Sequence, residues 1–315
     1  MERVSTIQGI IPPVVTLFDS EGNIDIESNK KFTDWLIGQG VHGILYLGSM
    51  GEFSALTLEE RKMFTEEMIA QVNGRIPVYI GTGTTNLKDT INHSKHASET
   101  GANGILVVNP FYWNYPEEQL FDYFISIADS VDIPVLIYNI TMLTGQTLSP
   151  DLIQRLAASH KNIAGMKDTI NDIGHVREVL TAVSKDRPDF AMLTAFDDHL
   201  LPGLHLGAAG SINGISNFAP HLAVNLFEAY KAKDYETAIH LHKKLTKLMD
   251  LYKINPLLFM TVKEVLYQLS IIPERTGGRA PSSVFEEKLI SDVKTFLETH
   301  DSTLDLLQTG FKVEP

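Results

Sequence analysis

Short apolar runs recur along the first two thirds of the chain, and each is bounded by glycine, proline or polar residues. Most runs are continuous in Val, Ile and Leu rather than alternating with polar residues, which is the pattern of strands buried on both faces. They predict eight strands, at Gly9–Thr16, Gly43–Ser49, Val78–Gly83, Gly104–Pro110, Pro134–Ile140, Ile163–Asp168, Phe190–Phe196 and Gly210–Ser216.

Amphipathic stretches separate these runs and predict helices between the strands. The second of them begins with Thr57, and Glu60 follows three residues later, which is a capping-box signature. The predicted helices are Ser28–Gln39, Thr57–Val72, Asn86–Thr100, Glu117–Ser130, Pro150–Ser159, Ile173–Ser184 and His199–Leu206. This regular alternation favours an α/β fold of the (β/α)8 TIM barrel type, with a doubly wound open sheet as the structural alternative.

The pattern changes after the eighth predicted strand. Helical periodicity continues without further strands, and a loop rich in glycine and proline follows at Glu274–Ser283. The additional helices are predicted at Ala219–Lys233, Tyr235–Tyr252, Pro256–Leu269 and Phe285–His300. We therefore expect a barrel over residues 1–218 and a helical C-terminal extension over residues 219–315, packed on the barrel.

Composition and charge narrow the function. The chain has 315 residues, 43% of them hydrophobic, and a formal net charge of -13, which gives no basic surface for nucleic acid or an anionic membrane. The absence of cysteine excludes disulfides, thiolate metal sites and cysteine nucleophiles. Residues 1–8 lack a signal-peptide core, and no run approaches about 18 apolar residues. We expect a cytoplasmic protein that acts on a small molecule.

Chemistry in a barrel of this type is located at the carboxyl ends of the strands. Lys167 ends the sixth predicted strand, so its side chain should enter the barrel mouth between apolar walls. Burial there would disfavour the ammonium form and lower its pKa. A neutral lysine amine can form a Schiff base with a carbonyl substrate. The alternative is a structural lysine that pairs with Asp168 or with another carboxylate.

A candidate proton shuttle lies on the neighbouring strand. Tyr138 ends the fifth predicted strand, and imine formation needs a proton donor near the lysine nitrogen. Ser49 and Tyr112 are candidates for relaying that proton. Alternatively, Tyr138 only caps the barrel core with a hydrogen bond. The turn Gly48–Glu52 could hold a carboxylate with its backbone N–H groups.

Metal-dependent catalysis is the main chemical alternative. Histidines at 93, 96, 240 and 242 fall on predicted helices rather than at strand ends. Asp197, Asp198 and His199 follow the seventh strand, but no second histidine converges from a neighbouring strand end. We therefore expect no metal cofactor.

Three motifs, taken in order, resemble those of one known family. They are Gly48-Ser49-Met50-Gly51-Glu52, Tyr138-Asn139 and Gly165-Met166-Lys167-Asp168. The segments Gly207–Ile212 and Arg279-Ala280-Pro281 fit as well. Together they resemble the dihydrodipicolinate synthase/N-acetylneuraminate lyase family over residues 7–298.

This resemblance implies residue roles and an assembly. It implies that Lys167 forms an imine with pyruvate or another 2-oxo acid, without a metal or organic cofactor. Tyr138 would be the acid/base, and Ser49 and Tyr112 would complete its relay. The backbone N–H groups of Ser49 and Met50 would bind the substrate carboxylate. The family is usually a homotetramer, a dimer of dimers, and in many members the residue matching Tyr112 reaches across a subunit interface.

Several positions depart from the synthase pattern. Leu143 stands where dihydrodipicolinate synthases carry an arginine for the carboxylate of the aldehyde substrate, and an apolar side chain cannot replace that clamp. Met50 and Thr141 replace the usual threonine and proline. Lys167-Asp168-Thr169 and Leu143–Gln146 are most similar to the 2-keto-3-deoxygluconate aldolase branch. Further substrate contacts are predicted at Leu143, Thr169 and Ile212.

The favoured function is therefore class I aldol cleavage of a 2-keto-3-deoxy sugar acid to pyruvate and an aldehyde. A related dehydratase acting on such an acid stays open. One alternative is 4-hydroxy-tetrahydrodipicolinate (dihydrodipicolinate) synthase, which condenses pyruvate with aspartate semialdehyde and which Leu143 disfavours. The alternative from another class is a non-catalytic barrel that binds a small acid as a sensor.

Overall fold

Eight parallel strands form the centre of the computed structural model, which describes residues 7–282 and 286–304. Predictions for residues 1–6, 283–285 and 305–315 lie outside these ranges; they concern the start of the chain, Ser283 and Phe285, and the end of the extension. The strands are β1 (Gly9–Ile10), β2 (Ile44–Tyr46), β3 (Val78–Gly81), β4 (Gly104–Val108), β5 (Val135–Asn139), β6 (Ile163–Asp168), β7 (Ala191–Thr194) and β8 (Gly210–Ser211).

The sheet closes on itself. Its strand order is β1-β8-β7-β6-β5-β4-β3-β2, and the segment after β1 meets β2 through a parallel bridge between Pro13 and Leu45. The N–H of Leu45 donates to the carbonyl of Pro12 at 3.0 Å, and the N–H of Val14 donates to the carbonyl of Leu45 at 2.9 Å. The predicted (β/α)8 barrel is confirmed, and the open-sheet alternative is wrong.

Twelve α-helices occur within the described residues. They are α1 (Ile26–Gly38), α2 (Leu58–Val72), α3 (Leu87–Thr100), α4 (Glu117–Ala128), α5 (Thr141–Thr144), α6 (Pro150–Ser159), α7 (Ile173–Val183), α8 (Leu200–Leu206), α9 (Pro220–Lys231), α10 (Tyr235–Lys247), α11 (Leu258–Gln268) and α12 (Glu287–Leu304). The predicted capping box is present at the start of α2, because the hydroxyl of Thr57 accepts the N–H of Glu60 and the Glu60 carboxylate accepts the N–H of Thr57.

Some element boundaries differ from the prediction. β1 ends at Ile10 instead of Thr16, because Pro12 and Pro13 have no N–H to donate to a strand ladder. The helix predicted over Tyr235–Tyr252 is an α-helix only as far as Lys247, and a 3₁₀ helix follows it over Leu248–Lys253. The four-residue helix α5 was not predicted.

The boundary between barrel and extension stays a prediction. The helix α9, which sequence analysis assigned to the extension, packs against β1 and α8. It follows β8 directly and so occupies the position of the eighth barrel helix. We infer that the extension proper begins after α9, with α10. None of the helices in the described ranges is long and apolar enough to span a membrane.

Side chains inside the barrel form a packed core of their own. Ile11, Leu45, Leu106, Leu136 and Leu193 fill its interior, and Tyr138 and Ile212 belong to the same cluster. Because successive side chains of a strand point to opposite faces, the other strand residues pack outward against the helices. The barrel interior below Tyr138 is therefore filled by side chains.

Candidate active site

Lys167 and Tyr138 face each other at the carboxyl ends of adjacent strands. They are direct partners in the β5–β6 register. The Nζ of Lys167 lies 3.4 Å from the Oη of Tyr138 and 4.5 Å from the centre of its ring. Both side chains are buried, with 4% and 3% of their surface exposed. A proton donor is thus within reach of the lysine nitrogen, as imine chemistry requires.

The alternative for Lys167, a structural pairing with Asp168, does not occur. The carboxylate of Asp168 instead contacts the imidazole of His175 and the amide of Asn139, each at 2.8 Å. Among residues 7–282 and 286–304, no carboxylate lies within ion-pair distance of the Lys167 Nζ. The structural alternative for this lysine is therefore wrong with respect to Asp168.

Ser49 extends the contact between lysine and tyrosine into a chain of three groups. Its Oγ lies 3.0 Å from the Oη of Tyr138. Ser49 belongs to the loop after β2, which turns sharply because Leu47 and Glu52 both adopt positive φ, at 57° and 54°. A side chain at Gly81 would lie 2.1 Å from the carbonyl oxygen of Leu47, so only glycine lets this loop pack against β3.

The same loop presents two unused hydrogen-bond donors. Within the described part of the chain, the backbone N–H groups of Ser49 and Met50 have no acceptor. The side chain of Met50 is buried in the core and does not line the cavity beside Ser49. The loop is held in place by the Thr16 hydroxyl, which donates to the carbonyl of Gly51 at 2.8 Å. Two adjacent free N–H groups in a turn are suited to a carboxylate.

A buried ion pair connects this loop to the C-terminal helices. The Nζ of Lys263, on α11, donates to the Glu52 carboxylate at 2.5 Å and to the carbonyl of Gly277 at 2.8 Å. The other oxygen of Glu52 accepts the backbone N–H of Arg279 at 2.8 Å. Burial lowers the pKa of Lys263 to about 8, although Glu52 opposes this shift. Lys263 is fully buried, so it cannot meet a substrate.

A cavity of about 380 Å³ opens beside Ser49 and Tyr138. Its walls are mostly apolar and include Phe53, Val108, Phe111, Ile140, Leu143, Leu257 and Phe259. Among the residues that the structure describes, two charged side chains reach it, and both are paired: Glu52 with Lys263, and Arg279 with Glu60 at 2.7 Å. A larger cavity of about 590 Å³ lies at the amino ends of the strands, near Asn162 and Arg187, and it contains no predicted site residue.

The remaining predicted site residues are spread around the barrel mouth. Leu143, on α5, lines the cavity with 60% of its surface exposed. Ile212 is buried inside the barrel, and the Thr169 hydroxyl is buried with no partner in the described residues. Tyr112 is 87% exposed, has a φ of 93° and contacts the edge of Trp113. The single chain therefore joins Lys167, Tyr138 and Ser49, but it does not bring Tyr112 to them.

The histidines considered as metal ligands do not converge. His96 contacts Glu66 at 2.8 Å, and His93 on the same helix is buried, with burial as the main cause that lowers its pKa to about 3. The described residues contain no group of three or more His, Asp or Glu side chains arranged to hold a metal ion.

Comparisons with known proteins agree with the fold. A (β/α)8 barrel that brings a buried lysine and a tyrosine together at adjacent strand ends is suited to Schiff-base chemistry. The model of the dihydrodipicolinate synthetase family matches residues 6–300, and the chain belongs to that family. The predicted resemblance is therefore confirmed, and so is the predicted enzyme class, a pyruvate-dependent lyase.

Two relatives from Escherichia coli strain K12 are similar over most of their length. YagE, named as a candidate 2-dehydro-3-deoxy-D-gluconate aldolase, is 41% identical over 298 residues, which are 95% of this chain and 98% of YagE. YjhH, named as a candidate 2-dehydro-3-deoxy-D-pentonate aldolase, is 41% identical over 78% of this chain and 82% of YjhH. The crystal structure of YagE in complex with pyruvate superimposes with a TM-score of 0.91 and covers 94% of this chain and 99% of YagE.

Proposed function

We propose that this protein is a class I aldolase that cleaves a 2-keto-3-deoxy sugar acid to pyruvate and an aldehyde. The contact chain from the Lys167 Nζ through the Tyr138 Oη to the Ser49 Oγ, at 3.4 and 3.0 Å, is the observation that carries this proposal. The names of YagE and YjhH support the choice of substrate class.

The neutral amine of Lys167 attacks the C2 carbonyl, and a proton moves from nitrogen to oxygen to give a carbinolamine. Tyr138 donates a proton to the departing hydroxyl, so water leaves, a protonated imine forms, and Tyr138 becomes a tyrosinate beside Ser49. The tyrosinate takes the proton of the C4 hydroxyl as the C3–C4 bond breaks. The electron pair of the C3–C4 bond moves into the imine, which becomes an enamine. C4 leaves as the carbonyl carbon of the aldehyde.

The second half of the cycle protonates the enamine and then reverses imine formation. Tyr138 returns its proton to C3 of the enamine, which restores the protonated imine. Water then adds to C2 and gives its proton to the tyrosinate, and the carbinolamine collapses to pyruvate and the free Lys167 amine. The water that left during imine formation is taken up again, so the cycle balances. Throughout these steps, the N–H groups of Ser49 and Met50 hold the C1 carboxylate.

The charge state of the cavity favours a hydroxylated aldehyde over one that carries a carboxylate. Arg279 is occupied by Glu60, and Leu143 supplies no cation. A second carboxylate would have to compete with Glu60 for Arg279 or stay desolvated without a partner, which is unfavourable. Hydroxyl groups need only neutral partners, and Ser49 and Ser54 line the cavity. The cavity therefore disfavours the synthase reaction, whereas the aldolase and the related dehydratase both act on substrates of the favoured kind.

We propose that Tyr112 acts from a neighbouring subunit of a homotetramer. Tyr112 and Trp113 are exposed by 87% and 68%, and Met142 by 67%, so they form an apolar rim at the barrel mouth. Large exposed apolar groups of this kind mark interaction surfaces. A tyrosine hydroxyl delivered across such an interface would complete the relay that begins at Ser49.

Pyruvate release from a panel of 2-keto-3-deoxy hexonates and pentonates tests the proposed function, with lactate dehydrogenase as the coupling enzyme. We expect turnover that survives EDTA, because the mechanism uses no metal, and no turnover by Lys167→Met. Condensation of pyruvate with aspartate semialdehyde is measured in parallel. Efficient condensation without cleavage of any sugar acid would support the synthase, and binding without any turnover would support a sensor. Water loss without carbon–carbon cleavage would identify the dehydratase.

A further inference from the structure

A charged network lies directly behind the catalytic pair, on the outer side of the same two strands. Asp168 follows Lys167 and Asn139 follows Tyr138, and the two residues are partners in the β5–β6 register. The Asn139 amide donates to the Asp168 carboxylate at 2.8 Å. Because side chains alternate along a strand, these residues point away from the barrel interior that Lys167 and Tyr138 face.

His175, in the first turn of α7, completes this network. Its Nδ1 lies 2.8 Å from the Asp168 carboxylate, and its Nε2 lies 3.1 Å from the carbonyl oxygen of Leu148. Both neighbours are acceptors, whereas a neutral imidazole has only one N–H to donate. Burial by itself lowers the pKa of His175, but the hydrogen bond and charge of Asp168 outweigh it and raise the pKa.

The network joins four parts of the barrel mouth. Leu148 ends the loop that carries Leu143, and its N–H donates to the Oδ1 of Asn139 at 3.1 Å. The N–H of Thr169 donates to the carbonyl of Asn139 at 2.8 Å. One set of contacts centred on Asp168 therefore holds the ends of β5 and β6, the start of α7 and the end of the loop that carries Leu143.

Stabilisation of α7 does not explain why a histidine occupies position 175. A cation in the first turn of a helix is opposed by the helix dipole, and α7 already has its own cap in Asp172, which accepts the N–H of Gly174. A buried ion pair is also weak evidence of stabilisation, because its desolvation offsets much of the attraction. What the arrangement does provide is a fixed geometry immediately behind the two reacting groups.

We infer that His175 is a positioning residue for Lys167 and Tyr138. Its imidazolium holds Asp168 and Leu148, and through Asn139 it keeps the ends of β5 and β6 in the register that places Nζ beside Oη. This inference rests on the proposed imine mechanism. It adds to that mechanism a residue that touches neither substrate nor lysine.

The rate of imine formation with pyruvate tests the inference without knowledge of the aldehyde. Rapid quenching with borohydride followed by mass measurement gives the rate constant and its dependence on pyruvate concentration. We expect His175→Phe to lower the maximal rate by about 10- to 100-fold, the effect of a small misplacement of reacting groups, and to leave the half-saturating pyruvate concentration nearly unchanged. The matched control is His93→Phe, another buried histidine of a barrel helix, which should leave both values unchanged.

Two further variants separate positioning from a general packing role. His175→Arg keeps the positive charge and several donors, so it should recover part of the rate. If His175 acts through Asp168, the loss caused by His175→Phe should be much smaller in an Asp168→Asn background. The inference would be overturned if His175→Phe lowered the rate of imine formation by the same factor in the Asp168→Asn background as in the wild type. It would also be overturned if His175→Arg recovered none of the rate.

A measurement on the unmodified protein covers the case in which His175→Phe does not fold. Nitrogen-15 NMR of labelled histidine should show His175 protonated at both ring nitrogens at neutral pH, and a neutral ring would overturn the inference. The proposed function fails separately, if the wild-type protein does not label Lys167 at all. Wild-type labelling combined with an unchanged rate in His175→Phe would refute only the role of His175.

Discussion

Removal of the Tyr138 hydroxyl should have different effects on turnover and on folding stability. Tyr138→Phe keeps the ring, which packs in the barrel interior, and deletes only the Oη that lies between Lys167 and Ser49. The chain of three groups is thereby cut at its centre. A positioned proton donor contributes about 10²- to 10⁴-fold, so turnover should fall by that factor, which corresponds to about 3–5 kcal/mol in the activation free energy.

The folding stability should change much less than the rate. The hydroxyl forms a hydrogen bond with Ser49 at 3.0 Å and accepts a longer contact from the Lys167 Nζ at 3.4 Å, and the hydrogen bond with Ser49 contributes about 1 kcal/mol. Ser49 also lines the cavity, where water can replace the lost partner. The free energy of unfolding should therefore fall by about 1 kcal/mol or less, while turnover falls by orders of magnitude.

A second strand tyrosine provides the matched control. Tyr46 is buried on β2, and its hydroxyl contacts the hydroxyl of Thr33 at 2.7 Å, away from the active-site cavity. Tyr46→Phe should cost a similar amount of stability and leave turnover intact. Both variants are compared by coupled pyruvate release, by borohydride trapping and by urea unfolding. Near-wild-type turnover of Tyr138→Phe would refute the relay and leave Tyr138 with a structural role.

Three other predictions follow from the described contacts. Leu143→Arg should reduce the ratio of kcat/KM for sugar-acid cleavage to kcat/KM for aspartate-semialdehyde condensation by about 10-fold, since a charge at this largely exposed site is partly screened. An unchanged ratio would exclude Leu143 as a specificity residue. Lys263→Met should lower the free energy of unfolding by about 3–5 kcal/mol, because it leaves Glu52 buried without its counter-ion, and Glu52→Gln in the same chain should restore part of it; a loss below about 1 kcal/mol would show that the pair is dispensable. Tyr112→Phe should slow turnover, and dilution to monomers should slow the wild type as well; a fully active monomer would contradict a role across an interface.

The fold could be predicted from the sequence because strands buried on both faces leave continuous apolar runs. Each of the eight predicted runs contains an observed strand, and the capping box at Thr57 marks the start of α2. Boundaries were less predictable, because they depend on single backbone donors. β1 ends at Ile10, before Pro12 and Pro13. The helix α5 forms inside a loop, where its sequence has no distinct periodicity.

The site could be predicted only in part. The contact among Lys167, Tyr138 and Ser49 could be predicted because their strands end at the same mouth of the barrel and because the three motifs resemble one family. Their catalytic roles stay a prediction. His175 and the pair of Glu52 with Lys263 were missed, since their contacts depend on the orientation of helices and span 211 residues of sequence in the second case. A histidine in the first turn of the helix after the lysine strand was the available signal for the first.

The most direct test of the account is the site of covalent capture. Incubation with pyruvate and borohydride should inactivate the enzyme and add one reduced pyruvate adduct to Lys167, because its nitrogen lies 3.4 Å from the Oη of Tyr138, a residue that lines the cavity. The fully buried Lys263, whose pKa is lowered to about 8, provides the internal comparison and should stay unmodified. Peptide mapping that places the adduct on Lys167 alone supports the imine mechanism. An adduct on another lysine, or no adduct in an active enzyme, would contradict it.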